Sequence, residues 1–96
     1  MNKLEDHIVI NVDNDKYWSV SPYSHSVFIA MLMQGKNPVS ISYGEIQGIT
    51  HFGKATISRS IKELDVAGFI TVHSRGRFRG DKSEYILNPE FGLRVA

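Results

Sequence analysis

Apolar residues return along this chain with two different periods. Between Lys54 and Gly68 they fall at Ile57, Ile61 and Leu64, with Ala67 at the edge, spacings that stack side chains on one helical face. The spacing predicts a helix over 54–67 whose other side carries Ala55, Ser58, Arg59 and Lys62, with Lys54 at its entry. Gly68 stands where a helix commonly ends in the left-handed backbone region that a Cβ disfavours. A shorter helix is expected from Tyr43, because Ser42 and Glu45 form a capping-box pattern. It carries Ile46 and Ile49 inward and stops within 50–53. A further helix starts earlier, at Ser21-Pro22, with serine as cap and proline at the first helical position, and runs to Gln34. Val27, Phe28, Met31 and Leu32 form its core stripe. Ile29, Ala30 and Met33 make it apolar nearly all round, so it is either central or covered by a partner.

The second period is two. Ile70-Thr71-Val72-His73 alternates as a half-buried strand, Glu84-Tyr85-Ile86-Leu87 can pair back against it, and Val39-Ser40-Ile41 supplies a short strand before Ser42. At the amino terminus His7 to Val12 is β-rich, Asp13-Asn14-Asp15 are turn formers, and Tyr17 to Val20 is β-rich again. This predicts a β-hairpin over 7–20 that extends the sheet, covers the core or pairs two subunits. After Pro89 the tail, 90–96, either packs Phe91 or Leu93 on the core or frays. The whole pattern is α+β, and 96 residues suffice for one small domain.

Composition narrows the chemistry. Without cysteine there is neither a disulfide framework nor a thiolate metal site, which suits a reducing cytoplasm, the compartment expected. The longest apolar run, Val27 to Met33, is about a third of the length of a membrane-spanning helix, so no membrane association is expected. Charge is unevenly placed. Residues 1–50 hold three lysines against five acids, whereas residues 51–96 hold Lys54, Arg59, Lys62, Arg75, Arg77, Arg79, Lys82 and Arg94 against five. The basic charge collects on the 54–67 helix and the loop between the last two strands, where Gly76 and Gly80 bracket Arg77-Phe78-Arg79.

The run ISYGEIQGITHFGKATISRSIKELDVAGFITV resembles the core of a winged helix-turn-helix domain. The elements that carry the likeness are Ala55-Thr56-Ile57-Ser58-Arg59, the pair Ile61 and Leu64, and the corner Ala67-Gly68-Phe69-Ile70, within a similarity covering Pro22 to Pro89. The resemblance implies three helices, a two-to-three-stranded wing sheet and sequence-specific binding of double-stranded DNA. Small proteins of this family, prokaryotic, plasmid or phage, serve as transcription regulators or as accessories in replication or conjugative transfer. The 54–67 helix would then present Lys54, Ala55, Thr56, Ser58, Arg59 and Lys62 to the major groove, Arg59 reaching a guanine and Ala55 or Thr56 a thymine methyl. In the wing, Arg77 and Arg79 would enter the minor groove, Phe78 would pack on a sugar or a base step, and Arg75 and Lys82 would meet phosphates. Tyr43 would bind a phosphate at the start of its helix.

Other chemistry is sparse. His7, His25, His51 and His73 have no ligand spacing, and neither a nucleophile motif nor a glycine-rich phosphate loop is present. No enzyme activity, cofactor, metal or small-molecule ligand is expected, and a homodimer is. The rival reading is a protein-interaction module within a larger nucleoprotein assembly. Val66 points outward by helical count with no assigned partner.

Overall fold

The computed structural model describes residues 7–76 and 81–95. Strand β1 (His7–Ile10) leads into a 3₁₀ turn at Asp15–Ser19, followed by α1 (Pro22–Leu32), β2 (Val39–Ile41), α2 (Tyr43–Thr50) and α3 (Lys54–Val66). Strands β3 (Ile70–Ser74), β4 (Ser83–Leu87) and β5 (Gly92–Val95) complete the described chain. Three helices and antiparallel strands make the fold α+β, as the two periods predict. The three-stranded sheet has β4 at its centre, in the order β2-β4-β3.

Local sequence accounts for the helix boundaries. Ser21 accepts a hydrogen bond from the Ser24 amide with Pro22 in the first turn, and Ser42 and Glu45 form the reciprocal capping box. His51 stops α2 in the left-handed region at φ 62°, and Gly68 stops α3 at φ 86°. The β2–β4 ladder is prolonged by a side chain. Asn37 accepts from the Leu87 amide at 2.9 Å and donates to the Leu87 carbonyl at 2.8 Å, as a paired strand residue would.

The expected hairpin over 7–20 is not formed. β1 pairs instead with β5, matching Ile10 with Gly92 and Val9 with Leu93, in a separate two-stranded sheet. Its supposed return strand is coiled into the 3₁₀ turn, where Asn14 accepts from the Lys16 amide and the Trp18 indole donates to the Val12 carbonyl. β-propensity specified an extended segment but not its partner, which lies at the other end of the chain. The tail therefore does not fray. Phe91 is buried and stacks on Phe69 with ring centres 4.0 Å apart. A Cβ on Gly92 would stand 3.2 Å from the side-chain ends of Ile10, Leu32 and Phe28, which would have to shift by a few tenths of an ångström, so glycine eases the close approach of β5 to α1.

One hydrophobic cluster joins these parts: Val27, Phe28 and Met31 of α1, Ile46 of α2, Ile57, Ile61 and Leu64 of α3, and Phe69, Tyr85 and Phe91 from the strands and tail. The expected core positions of α1 and α3 are all in it. Ile49 is a correction: it is 37 % exposed, because eight residues of α2 bury only the side that carries Ile46. Among the described residues, no helix is long and apolar enough to cross a membrane.

Candidate nucleic-acid interface

Burying Ile57, Ser60, Ile61 and Leu64 turns the opposite side of α3 to solvent. Lys54, Ala55, Arg59 and Lys62 are exposed there, while Thr56 and Ser58 are partly covered at its margins. None of the three basic side chains takes part in an ion pair with another described residue. The helix is entered from α2 through only His51, Phe52 and Gly53, so the two helices are held as a unit. Val66, at the far end, is 89 % exposed.

A groove of about 220 Å³ runs beside this face, between α3 and the start of α1. Tyr23, Thr56, Arg59, Ser60 and Glu63 line it. Glu63 is the fastener. Its Oε1 accepts from the Ser21 amide at 3.0 Å and from the Ser24 hydroxyl at 2.5 Å, so a carboxylate of α3 caps the positive end of α1. The Ser24 hydroxyl and then the Ser21 amide stabilise the charged form and hold the Glu63 carboxyl below its ordinary value.

This arrangement has a pH consequence. With its folded pKa lowered, Glu63 contributes stability at neutral pH that is lost as pH falls below about 4.5 and through the folded value. Melting temperatures recorded from pH 6 to pH 3 are expected to fall less steeply for Glu63→Gln than for the parent chain. An unchanged acid slope would remove Glu63 from that linkage. The residual slope belongs in part to Glu45, whose carboxyl is lowered by the Ser42 amide and, secondarily, by Lys82.

The remaining expected contacts are distributed unevenly. Lys82 lies 3.5 Å from Glu45, which ties the start of β4 to the start of α2 and partly neutralises that lysine. Tyr43, at the start of α2, is half-buried and packs against the core. Arg75 is exposed at the end of β3. Arg77, Phe78 and Arg79 lie outside the described residues. At Gly76, Asp81 occupies the space a Cβ would need, so glycine permits the close approach of the two ends of the β3–β4 loop.

Tyr23 was not legible as a site residue. It is 55 % exposed, shares the groove with Thr56 and Arg59, and its ring meets that of Phe52 edge-on at 5.2 Å. Helical phase gave no such signal, since Tyr23 lies four residues before Val27 and shares its side of the helix. Among the described residues, no group of three or more His, Asp or Glu side chains is placed to hold a metal ion. No protein-family model, curated protein or solved structure matches this chain.

Proposed function

We propose that this protein is a winged helix-turn-helix protein that binds a specific site on double-stranded DNA, acting as a transcription regulator or as an accessory in replication or transfer. The observation that carries the reading is the exposed side of α3, where Lys54, Arg59 and Lys62 have no carboxylate partner among the described residues and stand beside small and hydroxylated ones. A helix of this kind can enter a major groove, with its first turns nearest the base edges. The order α1, β2, α2, α3, β3, β4 supports it further, because a short strand, two closely linked helices and a two-stranded hairpin follow one another as a winged domain requires.

The division of labour follows from charge. Arg59 serves base recognition, Lys54 and Lys62 serve the flanking phosphates, and Arg75 begins a basic wing that adds sequence-independent affinity. Tyr23 joins them as a phosphate contact at the edge of the groove.

Selection of bound duplexes from a random pool, at near-physiological salt, tests the proposal. Enrichment of one motif, with binding that weakens steadily as salt rises, is the expected result. Binding without enrichment would limit the role to non-specific or architectural contact. Failure to retain any duplex at low salt would overturn DNA binding and favour the protein-interaction reading.

A further inference from the structure

The exposed cations on the proposed DNA surface are not equivalent. Lys54, Arg59, Lys62 and Arg75 have no carboxylate partner among the described residues, whereas the Nζ of Lys82 stands 3.5 Å from Oε2 of Glu45. Sheet register brings this pair together. Ile41, the last residue of β2, is matched with Ser83, so β4 starts beside Ser42 and the first turn of α2. Arg75 leaves β3 at the same end of the sheet, since Ser74 is matched with Glu84.

Glu45 is pinned where it stands. Its Oε1 accepts from the Ser42 amide at 3.0 Å while the Ser42 hydroxyl accepts from the Glu45 amide at 3.1 Å, so the capping box fixes one carboxylate oxygen and leaves the other to Lys82. The Ser42 amide, and after it Lys82, hold the carboxyl below its ordinary value, and the charge is present at neutral pH. Glu84, the residue of β4 next but one to Lys82, is occupied elsewhere, its Oε1 lying 2.9 Å from Nδ1 of His73.

We propose that Glu45 competes with a DNA phosphate for Lys82 and so holds down the protein's affinity for every duplex alike. The inference rests on the DNA-binding reading. A lysine on such a surface contributes by displacing counterions from a phosphate. One already balanced by a carboxylate has less charge to offer, and it must either leave Glu45 or draw a second negative charge toward the backbone. The pair is weak enough to be exchanged, because both side chains are about half exposed, at 56 % and 46 %, where water and salt screen the attraction. Phosphate contacts position the protein without carrying sequence information, so this competition leaves base selection by α3 untouched.

Glu45→Gln separates the charge from the cap, because glutamine also serves a capping box and its amide oxygen can still accept from Ser42. Salt-gradient elution from heparin and anisotropy titration of a random-sequence duplex compare the parent chain, Glu45→Gln, Lys82→Ala and the double variant, with thermal melting by circular dichroism to confirm that each is folded. Glu45→Gln is expected to bind about 2- to 5-fold tighter, with a salt dependence steeper by about one phosphate contact. Lys82→Ala is expected to change the parent's affinity by less than about 2-fold and to abolish the gain in the double variant. Unchanged or weaker binding by Glu45→Gln overturns the proposal while the parent's binding leaves the DNA reading standing. A gain that persists without Lys82 also overturns it, since Glu45 would then repel the backbone directly. A parent chain retained by neither heparin nor duplex overturns the DNA-binding reading and the proposal with it.

Discussion

Replacing Arg59 with alanine is expected to cost about 1 to 3 kcal/mol of binding to the preferred duplex, roughly 5- to 150-fold in affinity, and to relax selection at one base position. The guanidinium is exposed on the middle of α3, and its neighbour one turn on, Glu63, is already engaged by Ser21 and Ser24 rather than by Arg59. The fork is therefore available to take the O6 and N7 acceptors of a guanine, a two-bond contact that no other base offers in the major groove. Fluorescence anisotropy with the selected duplex and its single-base variants measures this directly. An equal loss on every sequence would assign Arg59 to the phosphate backbone instead. No loss at all would remove the centre of α3 from the interface.

Phe69→Ala is expected to have the largest effect on stability, about 3 to 5 kcal/mol, enough to leave a domain of this size marginally folded or unfolded. Phe69 is fully buried where the corner after α3 meets the tail, with its ring stacked on Phe91 at 4.0 Å and edge-on to Phe28 at 5.2 Å. Tyr17, from the 3₁₀ turn, approaches it at 5.9 Å. Truncation would thus loosen α1, the amino-terminal segment and β5 together, not one local contact. Urea unfolding followed by circular dichroism checks this, and Phe69→Leu is expected to lose less because it refills part of the cavity. A cost under about 1 kcal/mol would mean that the site collapses around alanine and that the aromatic cluster is not what joins the two sheets.

Much of the fold was legible because its signals are local. The capping box at Ser42 and Glu45, the serine and proline opening α1, the glycine closing α3 and the stripe of Ile57, Ile61 and Leu64 each depend on residues within a turn or two of one another. The solvent side of α3 followed from the same count, so Lys54, Ala55, Arg59 and Lys62 emerge where the periodicity puts them. Where prediction failed, the deciding neighbour was distant. The His7–Ile10 segment is a strand as its composition suggests, but its partner is Gly92–Val95, and the residues read as its return strand form a 3₁₀ turn. Ile49 fits an inward helical phase yet lies at the surface, because what covers a position depends on which elements pack over it.

The candidate site divides in the same way. Residue type and spacing along α3 established a basic, hydroxylated helix face, since neighbours on a helix surface are fixed by a regular rise and turn. The placing of Tyr23 beside Arg59, the capping of α1 by Glu63 and the pairing of Lys82 with Glu45 came from tertiary structure alone. Backbone periodicity is a property of a few consecutive residues. Which faces meet is settled by burying apolar surface across the whole chain at once, and that balance has no local signature.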